Sequence, residues 1–110
     1  MKVRSANIYV NDVFAGKLME DTSGFTFTYD RRYLDWPGAY PISASLPFRE
    51  RPYTRKILFP FFKGLIPEGW LFELNARALK IDSNDEFGML LHTGRDCIGA
   101  VTVVNSKDCA

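Results

Sequence analysis

Residues 25–29 alternate strictly between aromatic and hydroxyl side chains, in the order Phe-Thr-Phe-Thr-Tyr. Successive side chains of a β-strand point to opposite faces of a sheet, so this segment predicts a strand with one buried aromatic face and one face in water. The buried face would hold Phe25, Phe27 and Tyr29. A chain with such a strand is constrained to build a sheet with a layer packed on its aromatic side.

Residues 3–20 precede this strand and predict a β-hairpin. Strand-forming residues lie on both sides of Asn11-Asp12, which is a turn dipeptide. Gly16 lies within the second strand and indicates a bulge or a close approach of two backbones. Residues 22–24, Thr-Ser-Gly, predict a second turn that leads into the aromatic strand, so the first three strands should form a meander.

Three further short elements follow from local signals. Asp30 is expected to cap a helical turn that ends before Trp36. Residues 42–46 predict a short strand, which Pro47 stops. Residues 101–104, Val-Thr-Val-Val, predict a β-branched strand that returns to the sheet.

Three helices are predicted between residues 58 and 94. The first covers about residues 58–64, the second begins near Pro67, and the third opens at a capping box in residues 83–86 and closes at Gly94. The order of strands, then helices, then a returning strand predicts an α+β fold with a small antiparallel sheet. The inward stripe of the second helix is expected to contain Leu71, Leu74, Ala78 and Leu79.

Length and charge exclude several classes of protein. The length of 110 residues predicts one domain, residues 1–110. A domain of this length is too short for a kinase. Its 14 basic and 13 acidic residues give a formal net charge of +1, which argues against a dedicated nucleic-acid binder. The chain has neither a secretory leader pattern nor an apolar run of about 20 residues, so no membrane contact and a cytoplasmic location are expected.

Motifs for catalysis or metal binding are missing from the sequence. The single histidine, His92, and two cysteines, Cys97 and Cys109, form no zinc pattern. Residues 94–99 have two glycines with the outer spacing of a phosphate-binding loop, but the Lys-Ser/Thr pair that must follow is absent. No catalytic, metal-binding or cofactor-binding residue is therefore predicted, and the chain is not expected to be an enzyme or to bind a small-molecule substrate.

The segment Pro67-Glu68-Gly69-Trp70 places a large aromatic residue in the first turn of a predicted helix. Two interpretations stay open for Trp70. It either covers the edge of the core or serves as a partly exposed anchor, of the kind that dominates the energetics of protein interfaces.

Residues 94–102, with the sequence GRDCIGAVT, resemble the GRD-x-x-GAV-T segment of HipA-type serine/threonine kinase toxins. Ser45-Leu46-Pro47, Phe61-Phe62 and residues 65–69 add matches in the same order. The resemblance is to the N-terminal subdomain of those kinases and extends over nearly the whole chain. It implies the fold of that subdomain, with Gly94, Arg95, Asp96 and Gly99 as a structural motif.

The kinase body that follows this subdomain in single-chain toxins has no counterpart here. A free-standing copy of the N-terminal subdomain is similar to the HipS family of three-gene HipBST toxin–antitoxin systems. That resemblance implies an antitoxin that binds a separate HipT-like kinase near its active site, in a ternary complex with a HipB-like helix-turn-helix protein. The antitoxin itself would need no direct contact with DNA. The expected partner-binding residues are Trp70 as the anchor, with Pro67, Glu68, Gly69, Phe72 and Arg77 around it.

Three alternatives accompany this expectation. The chain could be an accessory module that presents substrates to the kinase or bridges it to the HipB-like protein. It could be a small enzyme that uses His92. It could also be a fragment of a full-length toxin, although its polar C-terminal residues argue mildly against that.

Overall fold

A computed structural model describes residues 3–82, 84–96 and 100–108, without the side chains of Trp70, Asp96 and Asp108. Five strands form one antiparallel sheet in the order β4-β3-β2-β1-β5. The strands are β1 (Arg4–Val10), β2 (Val13–Asp21), β3 (Gly24–Tyr29), β4 (Tyr53–Arg55) and β5 (Val101–Asn105).

Four α-helices pack with this sheet in the part of the chain that the structure describes. Together they confirm the predicted α+β class. The helices are α1 (Arg31–Asp35), α2 (Pro60–Lys63), α3 (Gly69–Leu79) and α4 (Glu86–Thr93), and short 3-10 turns follow at Gly94–Asp96 and Ser106–Asp108. No helix among these residues has the length and apolar character needed to cross a bilayer.

The first hairpin confirms the predicted turn. Asn11 and Asp12 both have positive φ angles, 48° and 68°, which a two-residue turn of type I′ requires. The close backbone approach at Gly16 is also confirmed, because an added Cβ atom would lie 2.4 Å from the carbonyl oxygen of Thr28. The register of β1 with β2 shifts next to Gly16, so the predicted bulge is present as well.

The aromatic face of β3 builds the core as predicted. Phe27 and Tyr29 are buried, and Phe25 is half-buried against the same cluster. The Phe27 ring lies 5.6 Å from the ring of Phe62 in α2, centre to centre, which joins the sheet to the helical half. Phe62 is fully buried.

The predicted strand at residues 42–46 is wrong. The segment is a turn, in which the Leu46 N–H donates to the Ser43 carbonyl oxygen at 3.0 Å. The reason is the Tyr29 hydroxyl, which accepts from the Ile42 N–H at 3.1 Å and donates to the Leu46 carbonyl oxygen. The Ile42 N–H and the Leu46 carbonyl oxygen are therefore not available for pairing with a strand. Burial raises the pKa of Tyr29 to about 12, so the hydroxyl keeps its proton.

The edge strand β4 was missed because it follows a charged loop and has only three residues. It pairs with β3 at the edge of the sheet. The start of α4 also differs from the prediction. Its N-cap is Asp85, whose Oδ1 accepts from the Gly88 N–H at 3.0 Å, rather than a residue at the beginning of the 83–86 box.

Asp85 also ties α4 to the sheet. Its two carboxylate oxygens accept from Arg4 Nη1 and Nη2 at 2.8 and 2.9 Å, which is the bidentate geometry of a strong charged pair. Arg4 Nε donates to Glu20 at 2.7 Å, and its guanidinium lies 5.3 Å from the centre of the Phe87 ring. These hydrogen bonds from Arg4 hold the pKa of Asp85 below its usual value.

Candidate functional site

Helix α3 turns a different face to the core from the one that the sequence predicted. Ala76 is buried and Phe72 is half-buried against the core cluster. The expected inward stripe is wrong, since all four of its members are exposed. Leu71 is 44% exposed, Leu74 52% and Leu79 42%, and Ala78 is exposed as well.

The reversal has a physical reason in the composition of α3. The helix carries apolar residues around more than half of its circumference, so periodicity alone does not select one face. Burying the Phe72 ring removes more apolar surface from water than burying a leucine, which favours the face that contains Phe72 and Ala76. The residues Leu71, Leu74 and Ala78 are left as an apolar surface, which we call the α3 outer face.

A cleft lies where α3 begins. It has a volume of about 290 Å³ and is lined by Ile66, Pro67, Glu68, Gly69 and Phe72. The ion pair between Lys63 Nζ in α2 and Glu86 Oε2 in α4, 3.4 Å apart, borders it. We call this the α3 cleft.

The cleft brings together four of the six residues that were predicted to bind a partner, namely Pro67, Glu68, Gly69 and Phe72. Phe72 lies half-buried with one side in the core, so it supports the cleft rather than extending from it. Arg77 is exposed further along α3. The backbone of Trp70 belongs to the first turn of α3, and its side chain lies outside the described part of the chain.

Gly69 sets the direction in which the chain enters α3. Its φ angle is +57°, in the left-handed region, and no atom lies within 4 Å of an added Cβ. The requirement for glycine is therefore conformational rather than steric. Glu68, at the N-cap, is extended and makes no capping hydrogen bond with its side chain, so the turn depends on the backbone of Gly69.

Replacing Gly69 by alanine is expected to cost about 1 kcal/mol of unfolding free energy, because a Cβ atom strains the left-handed conformation. Gly64 offers a matched control, since its φ angle is −67° and the nearest atom to an added Cβ is 3.4 Å away. Gly64→Ala should change stability by less than about 0.5 kcal/mol or increase it slightly. Urea denaturation of both variants measures the difference, and equal stabilities would contradict the assignment.

Gly94 lies at the end of α4, packed closely against β5. Gly94 is buried, and an added Cβ would lie 2.6 Å from Cβ of Val103 in β5. Arg95 is exposed. The Asp96 side chain and Gly99 lie outside the described part of the chain, so their place in the expected structural motif stays a prediction.

The described residues show no arrangement of side chains suited to catalysis or metal binding. His92 Nδ1 lies 2.9 Å from the Gly88 carbonyl oxygen, one helical turn back, which orients the imidazole toward its own helix. Over residues 3–82, 84–96 and 100–108, no group of three histidine, cysteine, aspartate or glutamate residues is placed to hold a metal ion. Cys97 and Cys109 lie outside these ranges. The predicted partner residues single out the α3 cleft, and the α3 outer face lies on the same helix.

Comparisons with known sequences show the family of the chain. The family model described as the HipA N-terminal domain matches residues 6–104. An uncharacterized protein of Haemophilus influenzae is 38% identical over 105 residues, which cover 96% of this chain and 95% of that protein. The putative kinase Y4mE of Sinorhizobium fredii is 34% identical over 105 residues, which cover 94% of this chain but only 25% of the kinase.

Two solved structures have the same fold. One is described as the N-terminal domain of HipA toxin; it is 36% identical, has a TM-score of 0.72, and the match covers 96% of this chain and 94% of that one. The other is a protein chain of the Shewanella oneidensis toxin–antitoxin complex of HipA, HipB and operator DNA. It is 18% identical with a TM-score of 0.69, covers 90% of this chain and 23% of that one, and shows the shared fold alone.

Proposed function

Because the chain belongs to the HipA N-terminal domain family, we propose that it is an antitoxin that binds a separate HipT-like serine/threonine kinase and restrains it. Docking would take place on the N-terminal lobe of the kinase, near its active site, in the cytoplasm. A HipB-like helix-turn-helix protein would complete the complex and contact DNA. In this proposal the chain itself has no enzymatic activity.

The α3 outer face is the observation that carries this proposal. Leu71, Leu74 and Ala78 are exposed on a helix that has another face in the core. Exposed apolar surface on a soluble domain marks a site of protein interaction when several such residues are adjacent. A partner that covers these side chains would remove their apolar area from water, which stabilises the complex.

A relative supports a kinase as that partner. The matching region occupies about a quarter of the putative kinase Y4mE, so there the domain and a putative kinase share one polypeptide. Two units that are folded against each other in one chain can associate as separate chains through the same surface. We infer that this chain uses the α3 outer face in that way.

The predicted partner residues have separate tasks in this arrangement. Trp70 is the proposed anchor, since position 70 precedes Leu74 by one helical turn. Gly69 and Pro67 set the direction of the turn, Glu68 and Arg77 are proposed to form the polar rim, and Phe72 holds the helix to the core. Aromatic anchors surrounded by apolar contacts are typical of the residues that dominate binding energy.

Coexpression with the HipA-type kinase of the same genome tests this proposal. Leu74→Glu and Trp70→Ala are each expected to weaken complex formation by about 2 kcal/mol, roughly 30-fold, and to abolish growth protection. Ile57→Glu is the matched control, because Ile57 is 66% exposed and lies outside α3. It should protect fully.

Equal protection by Leu74→Glu, Trp70→Ala and Ile57→Glu at equal protein abundance would exclude the α3 surface. In vitro phosphorylation assays separate the antitoxin from the accessory module. Lower kinase activity in the presence of this chain supports restraint, whereas unchanged or higher activity with an intact complex identifies a module that presents substrates or bridges to the HipB-like protein.

A further inference from the structure

The segment of residues 49–56 carries a concentration of positive charge that the proposed docking through α3 does not use. Four side chains in it are cationic and one is anionic, whereas the whole chain has a formal net charge of only +1. The four cations are Arg49, Arg51, Arg55 and Lys56, which we call the basic strip. All four residues are exposed.

None of the four members of the basic strip has an anionic partner in the described part of the chain. The one acid of the segment, Glu50, lies with Oε1 3.6 Å from Arg31 Nη2 in α1. Arg51, Arg55 and Lys56 take part in no side-chain hydrogen bond or ion pair among the described residues. Their charges are therefore available to an anionic ligand.

Arg49, the fourth member, is fixed in place. Its guanidinium carbon lies 3.6 Å from the centre of the Tyr53 ring. Its Nε and Nη2 atoms donate to the carbonyl oxygens of Arg51 and Pro52 at 3.0 and 2.7 Å. The Tyr53 hydroxyl in turn donates to the Pro47 carbonyl oxygen at 2.5 Å. This preorganised charge would lose little side-chain entropy on binding.

The backbone of Thr54 faces away from the sheet. In an antiparallel sheet the backbone of successive residues bonds alternately to the two sides. The bond from the Asp30 N–H to the Ala15 carbonyl oxygen fixes this alternation, and Thr26 accordingly bonds to β2. Thr54 stands opposite Thr26, so its own N–H and C=O point outward from the open edge of β4.

A groove of about 260 Å³ lies beside this edge. It is lined by Ser45, Leu46, Arg49, Thr54, Arg55 and Phe59, among others. Leu46 and Phe59 are buried and supply an apolar base, while the two arginines supply positive charge. The groove thus combines an apolar base, cationic walls and an outward pair of backbone hydrogen-bonding groups.

We propose that the open edge of β4 binds an acidic, extended segment of a partner protein, which adds to the sheet as a further strand. The outward N–H and C=O of Thr54 select a polypeptide backbone, and the basic strip selects acidic side chains beside it. This surface consists of other residues than the α3 outer face, so the proposal does not rest on the proposed function.

Two other occupants fit this edge less well than an acidic segment. A second copy of this chain would place one basic strip against another, and like charges that face each other on paired strands are destabilising. Duplex DNA would leave the backbone groups of Thr54 unused. The chain's net charge of +1 is also far from the strong basic excess that duplex binding requires.

The test is an NMR titration of the full chain with a short peptide that alternates Glu and Thr. Matched arms use the same peptide with Gln in place of Glu, and a short DNA duplex. We expect the acidic peptide to shift the Thr54 amide and its neighbours, with binding that weakens as salt is added.

The double variant Arg55→Glu, Lys56→Glu should weaken binding at least about tenfold, as expected when close charge pairs are reversed. Lys17→Glu reverses one exposed charge on the central strand β2 and should leave affinity within about twofold.

Three results would overturn the proposal. The first is equal affinity for the acidic and Gln peptides, or no binding by either. The second is tighter binding of the duplex than of the acidic peptide, which would assign the strip to nucleic acid. The third is an acidic-peptide footprint that leaves Thr54 unshifted. Proton–nitrogen spectra of each variant confirm that its fold is intact before the comparison is made.

Discussion

Replacing Phe62 by alanine is expected to remove about 3–5 kcal/mol from the free energy of unfolding. The Phe62 ring is fully buried, and its centre lies 5.6 Å from that of Phe27 in the sheet and 6.1 Å from that of Phe59. The variant loses both the transfer free energy of the ring and the contacts around the cavity that remains. Since a domain of this size has only about 5–15 kcal/mol of stability, much of it would be lost.

Phe61 provides the matched control, because it is the neighbouring residue in α2 and of the same type, but only half-buried. Phe61→Ala should cost about 1–2 kcal/mol, in proportion to its smaller buried area. Urea denaturation followed by far-UV circular dichroism measures both. If the two substitutions cost the same, Phe62 does not join α2 to the sheet in the way described.

Replacing Asp85 by asparagine is expected to cost about 2 kcal/mol at neutral pH, since the bidentate pair with Arg4 becomes a weaker neutral interaction. Asparagine is itself a good N-cap and can still accept from the Gly88 N–H. The substitution therefore isolates the charge of Asp85 from its capping role.

The same variant has a distinct pH dependence. The hydrogen bonds from Arg4 lower the pKa of Asp85 in the folded state. The stabilisation is therefore complete above the unfolded pKa, about 4, and is lost as the pH falls through the lower folded pKa. Asp85→Asn should show a smaller loss of stability on acidification than wild type. Asp35→Asn is the control, because it removes the same negative charge from an exposed position. If stability depends on pH in the same way in Asp35→Asn and Asp85→Asn, the role of the pair with Arg4 is contradicted.

The strands with a strong local pattern could be predicted, and those that depend on distant groups could not. The alternation of residues 25–29 and the Asn11-Asp12 turn determine β3 and the first hairpin, because both act through neighbouring residues. The absence of a strand at 42–46 depends on the hydroxyl of Tyr29, which approaches from another part of the chain. No periodicity within residues 42–46 contains that information.

The sequence pointed to the first turns of α3, but it assigned the wrong face of that helix to the core. The segment 67–72 was singled out for Trp70, and the residues around it do line one cleft. The apolar residues Leu71, Leu74 and Ala78 were assigned to the core, although they form the exposed face. The exposed face could have been found from a second apolar stripe on α3, through Phe72 and Ala76. Two stripes mean that the helix has more apolar surface than one contact with the core can cover.

The pairing of β1 with β5 has a consequence for how the molecule comes apart. Val10 lies opposite Val101, and all four α-helices belong to the stretch of chain between them. That ladder closes a very long loop, so its formation carries an entropic cost, which the contacts of the enclosed helices help to offset. Melting of the helices would remove that compensation and loosen the edge of the sheet. We therefore expect the sheet and the helices to unfold as one cooperative unit, although the helices and the meander are segregated along the sequence.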